Sequence, residues 1–169
     1  MAYVIQDEVL APKGAEIIEY YGPDPFRIYS KIGGLLQDIF QARGQHIYED
    51  EFRWDITSDP RPFFFIIRLK KGIDKFTDGI VKLKVFGAQP SDPTKNGRLL
   101  IEIAGVIKTT YPVKTWWHRL IIEPFIWLYH HAIYNKVRRE YIRIYKNGIE
   151  RLQAELRSML GLVMHERLR

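Results

Sequence analysis

The chain has 169 residues and no cysteine, which excludes disulfides, thiolate metal sites, iron–sulfur clusters and a cysteine nucleophile, and favours an intracellular, cytoplasmic protein. A hydrophobic fraction of 46% is enough for one continuous core, so we expect a single domain over residues 1–169. The net charge of +6 lies in the C-terminal part, because residues 1–112 contain 15 Lys and Arg against 15 Asp and Glu, whereas residues 113–169 contain 11 against 5.

The first strand is predicted at residues 15–21, and a helix is predicted at residues 24–43, where apolar residues recur at helical spacing. Asp24 is predicted to cap the N-terminus of this helix and Gly44 its C-terminus. The pair Gly33-Gly34 lies inside the helix. It predicts either a kink or the close approach of another backbone.

Four further strands are predicted from apolar residues that alternate with polar ones, and we expect them to form an antiparallel sheet. They lie at residues 46–56, 63–71, 79–87 and 98–110. The first of them is predicted to hold Tyr48, Phe52, Trp54 and Ile56 on one face and Glu49, Glu51, Arg53 and Asp55 on the other. In the remaining three, the residues predicted to face the core are Phe63, Phe65, Ile67, Leu69, Val81, Leu83, Val85, Leu99, Ile101, Ile103 and Ile107.

Residues 113–161 are predicted as one long helical segment that follows the strand-rich residues 1–112. At this length we expect a kink or a break, at Pro124 or, as a second candidate, at Gly148. The segment up to Tyr134 has almost no polar face, so we expect the sheet to bury it, with part of it lining a cavity or meeting a partner subunit. The alternative is a helix that lies in a membrane interface. A transmembrane span is not expected, because the segment is interrupted by Arg119, Glu123, His130 and His131.

The order of elements predicts an α+β fold: a curved antiparallel sheet of about five to six strands packed on a long, kinked C-terminal helix, with one shorter helix after the first strand. This order resembles, over most of the chain, the helix-grip fold of the START and polyketide-cyclase-like superfamily. The sequence departs from that superfamily in having one helix after the first strand, where the superfamily has two, and in its longer final helix. The resemblance implies an apolar cavity between the sheet and the long helix. The residues expected to line it are Trp54, Phe65, Leu83, Ile103, Trp117 and Ile121.

No pattern of residues indicates catalysis or a metal site. The carboxylates Glu49, Glu51 and Asp55 could act in acid–base chemistry or bind a hard cation, but we expect them to pair with basic residues of the neighbouring strands. Those basic residues are Arg68, Lys70, Lys82 and Lys84. His130 and His131 are adjacent, so on a helix they point about 100° apart and cannot chelate one ion as histidines four residues apart do. We therefore predict a non-enzymatic protein with no catalytic residue, no cofactor and no metal.

Three functions are consistent with the sequence. The leading hypothesis is a binding protein whose long C-terminal helix forms a homo-oligomer or protein-partner interface, because an apolar stripe runs from Val137 to Leu160. The second is a carrier of an apolar small molecule or lipid in the cavity between sheet and helix. The third is binding to RNA or the ribosome through cations spaced three and four residues apart; the alternative is a solvated face partly neutralised by Glu140 and Glu150. These cations are Lys136, Arg139, Arg143 and Lys146.

Overall fold

The computed structural model describes residues 2–112 and 124–162, in which an antiparallel sheet is covered on one face by two helices. The strands are β1 (Ala2–Glu8), β2 (Glu16–Gly22), β3 (Ile47–Trp54), β4 (Arg61–Gly72), β5 (Thr77–Gln89) and β6 (Gly97–Pro112). The helices are α1 (Tyr29–Phe40) and α2 (Asn135–Met159), and α2 continues from helical residues 124–129 and a π-helical turn, His130–Tyr134. The predicted fold class is therefore confirmed.

Strands β1 and β2 form two halves of one edge of the sheet, because both pair with β6. β1 pairs with residues 106–112 and β2 with residues 97–103, and the chain between them leaves the sheet at residues 9–15. From this edge the order continues through β6, β5, β4 and β3. The sequence predicted only the second half of this edge, because the apolar alternation of residues 2–8 is imperfect.

The core lies between the inner face of the sheet and the two helices. The residues of β4, β5 and β6 that were predicted to face the core are all buried. Helix α1 contributes Ile32, Leu36 and Phe40, and α2 contributes a stripe that is also buried: Tyr145, Ile149, Leu152 and Leu156. The apolar side chains of the helices and those of the strands therefore pack together in one layer, as the hydrophobic effect requires.

Strand β3 contains a β-bulge at Asp50 that reverses the faces predicted for Tyr48 and Glu49. Glu49 lies opposite Ile67 and Glu51 opposite Ile66, so the residue between them has no partner on β4. Paired residues share a face, so Glu49 lies on the core side and Glu51 on the outer side. The prediction that Glu49, Glu51, Arg53 and Asp55 share one face was wrong, because one extra residue shifts the period of two.

The ion pairs of the outer face also differ from the prediction. Arg68 donates to both carboxylate oxygens of Asp50, the bulge residue, at 2.8 Å each. Glu49 instead accepts a hydrogen bond of 2.6 Å from the Tyr29 hydroxyl, and Glu51 pairs with Arg53 on its own strand. Two further pairs link other strands, Lys70 with Asp78 at 3.5 Å and Lys84 with Glu102 at 3.4 Å. The carboxylates of β3 are thus distributed over both faces of the sheet.

Both predicted caps of the first helix were wrong. Asp24 has a left-handed backbone (φ 47°) and makes no side-chain capping hydrogen bond, and a 3-10 turn, Pro25–Ile28, precedes α1. At the other end the left-handed residue is Gln41 (φ 49°), three positions before Gly44. The helix ends earlier than predicted because residues 44–46 form a separate 3-10 turn that leads into β3.

Gly148 does not break α2, which is continuous from Asn135 to Met159. A Cβ atom at this position would lie 2.5 Å from a ring carbon of Phe40, so the glycine allows α1 and α2 to approach closely. The other candidate break, Pro124, is the first described residue of the helix, and the residues before it lie outside the described ranges.

Two Gly→Ala variants should change stability in opposite directions. Alanine favours an exposed helix over glycine by about 1 kcal/mol, so Gly34→Ala in α1, with nothing within 4 Å of the new Cβ, should raise the free energy of unfolding. Gly148→Ala should lower it by about 1 kcal/mol, because overpacking against Phe40 outweighs the helix preference. Urea unfolding of both variants measures this difference. An increase for Gly148→Ala would contradict the close packing of the two helices.

Candidate interaction surface

The helical residues 124–133, which we call the aromatic arm, expose large apolar side chains. Relative exposure is 67% for Phe125, 53% for Trp127, 56% for Leu128 and 64% for Ile133. Burial of this segment by the sheet was predicted, and for residues 124–133 that prediction was wrong except for His130, which is buried, and Ile126, which is half-buried. The arm precedes the part of α2 that packs on the sheet, so its apolar side chains face solvent.

A buried histidine holds the base of the arm against the sheet. His130 is 1% exposed, and its Nδ1 lies 3.2 Å from the hydroxyl oxygen of Tyr111 at the end of β6. Burial lowers the pKa of His130, and the neighbouring positive charge of Arg138 lowers it further. His131 is exposed, so the two histidines diverge as expected for adjacent helical residues. The imidazole of His130 is therefore neutral at physiological pH and fixes the arm by packing and hydrogen bonding.

A second polar contact ties the π-helical turn to the loop between β4 and β5. The Tyr134 hydroxyl donates to Asp74 at 2.5 Å, and its oxygen lies 2.5 Å from the hydroxyl oxygen of Thr77. Asp74 also accepts hydrogen bonds from the Tyr141 hydroxyl and from the backbone N–H groups of Phe76 and Thr77. Burial opposes ionisation of Asp74, but these hydrogen bonds outweigh it and hold the pKa of the carboxyl below its ordinary value. This contact could not be predicted from the sequence, because its members are distant in the chain.

Arg138 lies on α2 but faces the sheet. It donates to Asp7 of β1 at 2.5 Å and to the side-chain oxygen of Asn135 at 2.8 Å. The side chains of Arg138 and Asp7 are only 22% and 20% exposed. This cation therefore anchors α2 to the edge of the sheet and does not belong to the exposed basic surface.

The four predicted cations form an exposed row on the opposite side of α2, and we call them the basic stripe: Lys136, Arg139, Arg143 and Lys146. Arg143 donates to Glu140 at 2.6 Å. Within residues 2–112 and 124–162, the other three have no carboxylate oxygen within 4 Å. Net positive charge therefore remains on this side of the helix.

The basic stripe and the aromatic arm form one continuous surface. A depression of about 420 Å³ is lined by His131 of the arm, by three cations of the stripe and by the carboxylate of Glu140, so it begins on the arm and ends on the stripe. The indole of Trp127 stacks on the His131 ring with centroids 4.6 Å apart. Aromatic and cationic groups thus lie side by side on this part of the surface.

Of the six residues predicted to line a ligand cavity, three lie in the core and one lies on β3. Phe65, Leu83 and Ile103 are completely buried in the core. Trp54 lies on β3 and is 37% exposed, with its ring 4.3 Å from that of Phe26. The last two of the six, Trp117 and Ile121, lie outside the described residues. The cavity remains a prediction.

A groove of about 810 Å³ lies on the outer face of the sheet, which sequence reasoning did not consider. Phe64, Phe86 and Leu100 lie in register across β4, β5 and β6, and the two phenyl rings are 4.7 Å apart. Arg53 and Arg98 are also among its lining residues. In the sequence, the groove is indicated by three outward apolar residues, one on each strand. They can be recognised as neighbours only when the pairing of the strands is known.

No protein-family model matches the chain, and no significant match was found among curated proteins. In the described part of the chain, no three His, Asp or Glu side chains are grouped so that they could hold a metal ion. None of the helices described there is long and apolar enough to cross a membrane. The chemistry of the exposed surfaces is therefore what indicates a function.

Proposed function

We propose that this chain is a non-enzymatic binding protein with a helix-grip-like scaffold, and that its long C-terminal helix forms the interface to a second copy or to another partner. The observation that supports this proposal is the exposure of Phe125, Trp127, Leu128 and Ile133 on one short stretch of helix. The packing of α2 along one face of an antiparallel sheet supports the scaffold.

The size of these side chains determines how much free energy a partner could gain by covering them. Complete burial of one Phe, Leu or Ile contributes about 1.5–3 kcal/mol, so a partner that covers the arm gains several kcal/mol before the cost of association. Large apolar side chains exposed together are uncommon on monomeric proteins and indicate an interaction surface. The anchoring of His130 and Tyr134 fixes the orientation of the arm, which lowers the entropy that binding would remove.

The proposal is tested by light scattering after size-exclusion chromatography of the full chain, at low and high salt, together with the fluorescence of an apolar dye. We expect either a salt-resistant oligomer or a monomer that binds the dye strongly. The double variant Phe125→Ser, Leu128→Ser should reduce the mass or the dye signal. The matched control, Val4→Ser with Ile17→Ser, changes two exposed apolar residues on the edge of the sheet and should leave both readouts nearly unchanged. A strict monomer with weak dye binding that the arm variant does not alter would overturn the proposal.

A further inference from the structure

We infer that the partner of the aromatic arm and the basic stripe is the surface of an anionic lipid membrane; this inference rests on the proposed function. An anionic membrane surface consists of negatively charged headgroups and, directly below them, apolar acyl chains. The arm presents apolar side chains and the stripe presents positive charges, and the two lie on adjacent turns of one helix.

The arm fits the boundary between headgroups and acyl chains. Its ten residues extend about 15 Å, which is half the thickness of a hydrocarbon core, so the arm suits a position in the plane of the interface. Phe125, Leu128 and Ile133 provide the side chains that insert. Trp127 and Tyr129 provide rings with a polar atom, which membrane proteins concentrate at headgroup level.

The positive charge of the basic stripe complements the negative charge of the lipid headgroups. Lys136 and Arg139 follow the arm directly and line the same depression as His131, the residue on which Trp127 stacks. Acidic side chains on this side of α2 are Glu140, which pairs with Arg143, and the more distant Glu150. Each unpaired cation near an anionic bilayer strengthens binding by about fivefold.

Charge disfavours a second copy of the chain on the same surface. A two-fold symmetric dimer that pairs stripe with stripe would bring like charges together, and one that pairs the arm of each copy with the stripe of the other would bury cations against apolar side chains without a counter-charge. RNA would satisfy the cations but would leave Leu128 and Ile133 in water. A lipid surface is the partner that covers the apolar and the basic parts together.

The test is co-sedimentation of the full chain with vesicles of phosphatidylcholine alone and of phosphatidylcholine mixed equally with phosphatidylglycerol. We expect binding to the anionic vesicles that weakens as salt is raised, and much weaker binding to the neutral ones. The variant Lys136→Gln, Arg139→Gln should weaken binding to anionic vesicles by about tenfold or more. The variant Phe125→Ser, Leu128→Ser should weaken binding to both kinds of vesicle.

The matched control is Lys82→Gln with Lys95→Gln, which removes the same amount of charge from the sheet and from the turn after β5 and should bind like the original chain. An equal loss with this control would overturn the inference, since binding would then depend on net charge alone. A different result would be that the chain fails to bind vesicles while dye binding or oligomer mass still depends on the arm. This result would overturn the inference of a membrane surface and leave the proposed function in place. Binding of an RNA oligonucleotide that depends on the stripe, without vesicle binding, would assign the stripe to RNA instead.

Discussion

Replacing Ile149 by alanine is expected to lower the free energy of unfolding by about 3 kcal/mol. Ile149 is completely buried on α2 and packs against β6 at Gly105, where a Cβ atom would lie 2.6 Å from its Cδ1. Truncation removes apolar contacts and leaves a cavity that the rigid sheet beneath cannot fill. Urea unfolding followed by circular dichroism measures the loss.

The matched control lies on the same helix. Ile144 is 51% exposed, so Ile144→Ala deletes the same atoms from a site that is half in solvent, and we expect a loss below about 1 kcal/mol. Equal losses at the two positions would contradict the orientation of α2 on the sheet. They would also remove the basis for separating the core side of the helix from its exposed side.

The second large effect is expected at Arg138. The variant Arg138→Gln should lower the free energy of unfolding by about 2–3 kcal/mol, because it leaves the partly buried carboxylate of Asp7 without its cation. The variant Asp7→Asn in the same background should recover part of the loss, since it removes the unpaired charge. The measurement is urea unfolding of the two single variants and the double variant.

The adjacent arginine provides the comparison. Arg139 is exposed, and Arg139→Gln should change the free energy of unfolding by less than about 0.5 kcal/mol. Replacement of Arg138 should therefore lower stability, whereas replacement of Arg139 should affect only binding. If Arg139→Gln destabilised the fold as much as Arg138→Gln, the basic stripe would be a structural feature and its use as a binding surface would lose support.

The core-facing residues could be predicted from the sequence because they obey a local rule. Phe63, Phe65, Ile67 and Leu69 alternate along one strand, and a strand with one buried face permits only that pattern. The same holds for the inner residues of β5 and β6. On α2 helical periodicity predicts an apolar stripe, with the row of Lys136, Arg139, Arg143 and Lys146 on its other side, but Val137 at the start of the predicted stripe and Ile144 within it are exposed.

Features that depend on pairing could not be predicted in this way. The bulge at Asp50 lies in a run of three acidic residues, Glu49–Glu51, and only the register with β4 shows that this run holds an extra residue and which residue is unpaired. The groove around Phe64 and Phe86 likewise requires the strands to be aligned. Residues 2–8 became a strand because β6 extends past β2 and offers free backbone groups to pair with.

The sequence by itself determined the α+β class, the inner faces of β4, β5 and β6, and the location of the net charge, because these properties depend on periodicity and composition within one segment. Only the tertiary structure decided which side chains of the C-terminal helix are covered. Arg138 and Arg139 are the same residue type at adjacent positions, yet one pairs with Asp7 and the other faces solvent. The aromatic arm, whose composition suggested burial, is exposed because it lies before the part of α2 that packs on the sheet. Burial depends on what the rest of the chain places nearby, and that information is not local.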